Sequence, residues 1–210
     1  ANCGRLGCRT NAEADLPPHC LTRNVDEDLL REAMGVYESK PEYLRLAQVS
    51  TILECETYCK LSRVEETIEF IFRMDYKNIG IASCVGLMAE TSIFARILDN
   101  AGINNFTVGC KTGARDKTAI GVPEAKKLNG GCGHESMCNP VMQAKVLAAR
   151  KTDFNIVIGL CVGHDSLFIA HSQAPTTVMI VKDRLLGHNP VAALYTAAGM
   201  YSRFRKKAGG

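Results

Sequence analysis

Residues 154–164 read FNIVIGLCVGH, and this stretch decides the fold. A short apolar run, Phe154 to Leu160, ends at Cys161, and a helical pattern follows from about His164 to Ala170. That is the text of a buried strand turning into a helix. Working outward, related text recurs at Ile79 to Ser83 before Cys84, at Phe106 to Gly109 before Cys110, and at Thr176 to Val181. Helical patterns separate these runs, from about Met88 to Asn100 and from Asn139-Pro140 to Arg150, with proline favoured in a first turn. Strands alternating with helices imply β-α-β units and a parallel sheet with right-handed crossovers. The expected fold is therefore α/β, a Rossmann-like three-layer sandwich with a mainly parallel sheet of about four strands.

Upstream of the first strand the period is helical throughout. Asp26 caps a helix through Met34, with Leu29, Leu30 and Met34 on one face. A second helix is expected from about Glu42 to Leu61, with Leu44, Ala47, Leu53 and Tyr58 as core positions. Ser62 and Glu65 form a capping box for a third, through Met74, whose inner face is Val64, Ile68, Ile71 and Phe72. These make an N-terminal helical layer. A last helix is expected after Asn189-Pro190, running to about Phe204. Its apolar residues Val191, Leu194 and Met200 suit docking on a second copy as well as on its own sheet. Residues 1–24 are expected to form a cysteine-containing N-terminal segment, and residues 25–210 a single α/β domain.

The chain has 210 residues, 46% of them hydrophobic, which is enough for one substantial core. Net charge is +3, and the basic residues are interleaved with acidic ones except at Arg203, Arg205, Lys206 and Lys207. A basic chain end without aromatic interleaving reads as a solvated terminus, so neither nucleic acid nor membrane is expected as a partner. Ala1 to Asp15 holds no apolar run of the kind an export signal needs, and no stretch approaches the ~20 apolar residues of a bilayer span. A cytoplasmic, reducing location follows as the expectation. There, ten cysteines argue for metal binding or thiol chemistry and against structural disulfides.

Cys84, Cys110 and Cys161 each follow a predicted strand, and Cys138 precedes the helix that returns to the third strand. In open α/β sheets, sites form beyond the carboxyl ends of the strands. All four thiols are thus expected at one edge, able to hold an iron–sulfur cluster, 4Fe–4S by ligand count, or zinc as the alternative. Zinc sites draw ligands from close Cys-x-x-Cys-type pairs, which these four lack, so the cluster is the first reading. Cys3, Cys8, Cys20 and Cys59 offer a second four-cysteine set. Cys55 and Cys59 have helical spacing and so would share one face. Cys132 and His134 fall in a long glycine- and lysine-rich loop, 111–138, that would suit a mobile lid.

A different chemistry fits the same turn. Gly159-Leu-Cys-Val-Gly-His164 has the context of a nucleophile elbow with cysteine in place of serine. It resembles the G-x-C-x-G-H motif of class I glutamine amidotransferases over six residues, without that family's downstream His-x-Glu pair. His188 would have to act as base, with Asp165 or Asp183 orienting it. This makes a cysteine-nucleophile hydrolase or amidohydrolase using Cys161 the second reading, and a zinc-stabilised binding module without catalysis the third. Strand-to-helix turns near Lys111, Lys117, Lys182 and Arg184 suit an anion.

From Arg63 onward the text resembles a known family. "RVEETIEFIFRMDYKNIGIASCVGL", "ESMCNPVMQA", "TDFNIVIGLCVGHDSLF" and "APTTVMIVKDRLLGHNPVAALY" resemble an uncharacterised prokaryotic family described as predicted metal-binding proteins. The resemblance covers roughly residues 20 to 202. It implies metal binding without naming a reaction, and Cys3, Cys8 and Cys20 match part of that family's N-terminal cysteine cluster. It also draws attention to His164, Asp165 and Lys182, the expected acid–base or substrate contacts. The implied partner is a small-molecule substrate or redox partner, anionic or sulfur-containing.

Overall fold

The computed structural model describes residues 3–10 and 12–205. Two compact units divide the chain, Ala1–Tyr58 and Cys59–Gly210. The break falls well after residue 24, so the first two helices group with the cysteine-containing N-terminal segment.

In the first unit, helix α1 spans Glu27–Ser39 and opens on the Asp26 carboxylate, which accepts the amides of Asp28 and Leu29 at 2.9 and 3.2 Å. Helix α2 spans Pro41–Thr57, with proline in its first turn. Leu53 is buried, but Leu29, Leu30, Met34, Leu44 and Tyr58 are exposed. Two helices paired on each other bury only a narrow seam, so most of the apolar positions read as core stay outside it. Helix α2 also stops before Leu61. Cys59 lies beyond its end with φ +56°, so Cys55 and Cys59 do not share a helical face.

The second unit carries the sheet. Helix α3 (Arg63–Met74) begins with the expected capping box: Ser62 Oγ accepts the Glu65 amide, and Glu65 returns a carboxylate oxygen to the Ser62 amide at 2.7 Å. Ile71 is fully buried and Val64 and Ile68 pack on the core, whereas Phe72 turns outward and Thr67 and Met74 turn inward. The remaining elements are β1 (Asn78–Ser83), α4 (Met88–Asn100), β2 (Asn104–Gly109), α5 (Pro140–Ala149), β3 (Phe154–Ile158), α6 (His164–His171), β4 (Thr176–Ile180) and α7 (Val191–Tyr195). The four strands are all parallel, in the order β2-β1-β3-β4. This is a Rossmann-like three-layer sandwich.

Side chains alternate across the sheet and sort the helices into layers. On one face, Ser83 Oγ meets Thr91 of α4 at 2.6 Å, and Phe154 packs on Phe70 of α3. On the other, Gly80 backs onto α5: a Cβ there would sit 2.8 Å from Leu147 and 2.1 Å from Asn155 Oδ1. Asn155 in turn donates to Ser172 at the end of α6. The absent side chain at Gly80 therefore lets α5 lie close on β1. From β1 the chain steps out to β2, and from β3 it steps out to β4. The paths diverge between β1 and β3, which makes their carboxyl ends a topological switch point.

The last helix is much shorter than expected. After Tyr195 the chain continues in turns bonded three residues back, as from Ala197 to Leu194 and from Gly199 to Thr196. Val191, Leu194 and Met200 are exposed. Of the basic terminal group, Lys206 and Lys207 lie outside the described residues.

Candidate metal centre

The sheet ladder continues past the strand ends and fixes the backbone of two cysteines. The Cys84 amide donates to Ile158 O at 3.0 Å, and the Cys110 amide donates to Ser83 O at 2.8 Å. The carbonyl of Cys110 accepts the Asn139 amide at 2.8 Å, while Asn139 Oδ1 caps α5 by accepting the Met142 amide at 2.9 Å. The start of α5, and Cys138 just before it, are thereby tied to the end of β2. Cys161 closes the turn after β3, where Gly159 takes φ +62° and a Cβ would collide with Leu87 at 2.0 Å. Only glycine suits that position.

Cys84, Cys110, Cys138 and Cys161 line one cavity of about 450 Å³ at this edge. Lys111, Lys117, Lys182, Arg184 and His164 line it with them, and among the described residues no carboxylate does. Nitrogen donors meet three of the sulfurs. Lys182 Nζ donates to Cys84 Sγ at 3.3 Å, Arg184 to Cys161 Sγ at 2.9 Å, and the Val85 amide to Cys110 Sγ at 3.4 Å. The fourth sulfur, that of Cys138, lies beside both Cys110 and Lys111. A shared hydrogen bond with Cys138, with burial behind it, pushes the Cys110 thiol above its ordinary range. The same bond draws Cys138 down, helped by Lys111 and His164.

The opposite wall is apolar, with Ile120, Val122, Leu128 and Met137 from the loop between β2 and α5. The loop expected to be a mobile lid is cross-braced instead. Lys127 is buried among Asp116, Glu124 and the carbonyl of Gly133, at 2.7 to 3.1 Å. Asp116 also accepts the amides of Thr118 and Glu135, and Lys117 pairs with Glu135. Cys132 is exposed, and His134 bonds Ser136 and approaches Asp116.

Of the acid–base candidates, His164 and Lys182 line the cavity. Asp165 closes its own turn, Oδ1 accepting the amides of Gly163 and Ser166 at 3.0 and 2.8 Å. Asp183 and His188 behave likewise. Asp183 Oδ1 accepts the Leu185 and Leu186 amides, and His188 Nδ1 accepts the Asp183 amide at 3.1 Å. The base and orienters expected for a cysteine nucleophile are thus engaged in local turns. The sequence placed Arg184 with the anion-binding cations and in the Lys182-Asp183-Arg184 group expected at this edge, and it touches a site sulfur there. Its spacing of two residues from Lys182, at the end of a strand, was the available signal. Cys3, Cys8 and Cys20 lie in the first unit and Cys59 opens the second; Cys20 is partly buried and the rest are exposed.

Thiols are donors of the type that iron–sulfur clusters and zinc both take. Four thiols come from four segments, with cations and an amide directed at their sulfurs and no competing carboxylate. Among the described residues, no three His, Cys, Asp or Glu side chains converge tightly enough to hold a single metal ion. The sulfurs are disposed around a cavity instead.

A family model described as "Protein of unknown function (DUF1847)" matches residues 20–179. The chain belongs to the DUF1847 family. An uncharacterized protein of Methanocaldococcus jannaschii is 44% identical to it over 178 residues, 84% of this chain and 89% of the relative. The matched span of the family model takes in all four cavity cysteines and His164, and ends within β4. Among the described residues, no helix is long and apolar enough to cross a membrane.

Proposed function

We propose that this chain is an iron–sulfur protein. Cys84, Cys110, Cys138 and Cys161 hold a 4Fe–4S cluster, and the site acts on, or passes electrons to, a small anionic or sulfur-containing molecule. The observation that carries the reading is the meeting of four thiols, from four separate segments, in one cavity at the topological switch point. Sulfurs disposed around a cavity suit a group of several metal atoms, where structural zinc draws its ligands onto one centre.

When bound, such a cluster supplies one-electron transfer at a potential set by its surroundings. The chain's own residues do the rest. Lys182, Arg184 and the Val85 amide spread the charge of the thiolates through hydrogen bonds. The cations lining the cavity attract an anion, and the apolar wall limits water. His164, at the first turn of α6, is positioned to give or take a proton. Asp165 acts by holding that turn.

Iron and acid-labile sulfide should be measured on protein purified without oxygen, together with a visible spectrum. The expected result is about four of each per chain with broad absorption near ~400 nm. Zinc alone would replace the reading with a structural site. Absence of both metals would leave the Cys161 nucleophile as the reading to test.

A further inference from the structure

Two of the four cavity thiols sit on neighbouring backbone segments. Cys84 and Cys161 face Lys182 and Arg184, whereas Cys110 and Cys138 come from segments joined by a backbone hydrogen bond and open on the same cavity. The backbone holds this pair together independently of any metal. Cys110 is bonded through its amide to β1 and through its carbonyl to Asn139, the residue after Cys138, each at 2.8 Å. Both cysteines therefore sit at the fixed ends of regular elements with their chains side by side, and proximity of the two backbones is the first condition for a disulfide. They also differ in access. Cys110 is 2% exposed, while Cys138 is only partly buried and opens on the cavity.

We propose that Cys110 and Cys138 form a reversible disulfide by exchange with a low-molecular-weight disulfide, and that this bond gates the cavity. The accessible Cys138 thiolate attacks one sulfur of the small disulfide, forming a mixed disulfide and releasing one small thiolate. Cys110 then gives its proton to that thiolate and attacks the Cys138 sulfur, and the second small group leaves as a thiolate that takes from water the proton Cys138 released on ionising. Two thiols of the protein and one small disulfide become one protein disulfide and two small thiols. Two electrons pass from the protein to the reagent. With both sulfurs bonded to each other, neither can ligate iron. The gate rests on the cluster reading, whereas the disulfide does not.

The test uses the full metal-free chain, equilibrated with oxidised glutathione, alkylated, digested and mapped by mass spectrometry. A Cys110–Cys138 cross-link should exceed any other pair by at least about tenfold, as held proximity dictates. Cys110→Ser should stop at a glutathione adduct on Cys138, with far-UV circular dichroism confirming that it folds. The wild-type map needs no variant at all. A dominant cross-link elsewhere, or a stable wild-type adduct on Cys138 with Cys110 still open to alkylation, overturns the proposal. Ferrous iron and sulfide then test the gate. Reduced protein should load, and oxidised protein should load only after a dithiol is added. If oxidised protein loads as well as reduced, the gate falls. If neither loads, the cluster reading falls and takes the gate with it, leaving the disulfide map intact.

Discussion

Lys182 and Arg184 stand two residues apart where β4 runs out, the spacing that sends alternate side chains of an extended chain the same way. Each donates to a cysteine sulfur, at 3.3 and 2.9 Å. A hydrogen bond to a ligating sulfur favours the more negative, reduced form of a cluster and so raises its potential. Lys182→Met keeps most of the stem and removes the donor. Its midpoint potential should fall, by no more than the worth of one charged hydrogen bond, about 1.5–3 kcal/mol. An electrochemical titration of the two proteins reads this directly, and an unchanged or higher midpoint would exclude Lys182 from the sulfurs of the loaded protein. The strand-end cysteines were legible because a run of apolar text stops at each of them. The sulfur contact of Arg184 was not, because Lys-Asp-Arg has the same composition as a solvated ion-pair group. Only the fold shows that the aspartate turns back on its own loop while the two cations face the sulfurs.

At the scale of elements, the loop between β2 and α5 shows what periodicity cannot report. Glycine and lysine content suggested mobility, but the bracing of residues 111–138 includes contacts between residues 7, 11 and 19 apart in sequence that follow no period. The strands and α3 through α6 were legible because burial on one face imposes a period. The start of α7 was legible but its length was not, since its apolar residues have no face to bury and the chain turns after Tyr195. The loop's bracing has a pH signature. Asp116 is held well below the usual carboxylate range by the Thr118 amide first, then by the Lys127 ammonium and the Glu135 amide. Lys117 lowers Glu135 in the same way. A carboxylate whose folded pKa is depressed contributes stability that is fully present above its unfolded value, and loses it as pH falls toward the folded one. The bracing should therefore be constant near neutrality and weaken only below about pH 4. Hydrogen exchange of residues 111–138, compared with β3 across that range, checks it. Loosening that begins near pH 6 would implicate a histidine instead.

The whole molecule divides into two units of different construction. The first pairs two helices and leaves much of its apolar surface outside their seam, whereas the second wraps a four-stranded parallel sheet between helices. The proposed centre draws all its ligands from the second unit, from the ends of β1, β2 and β3 and the start of α5. These are segments that the unfolded chain does not hold near one another. A group that binds the folded form and not the unfolded one stabilises it by mass action. Loading should therefore raise the denaturant midpoint of the second unit. Protection against hydrogen exchange should rise at residues 84–86, 110–111, 138–140 and 161–164, and residues 3–58 should be unaffected. Changing both Cys3 and Cys8 to serine should leave iron at about four per chain and the protection pattern unaltered. Loss of iron in that double variant would assign the metal to the N-terminal cysteines. The four strand-edge thiols would then be left with the thiol–disulfide chemistry of Cys110 and Cys138.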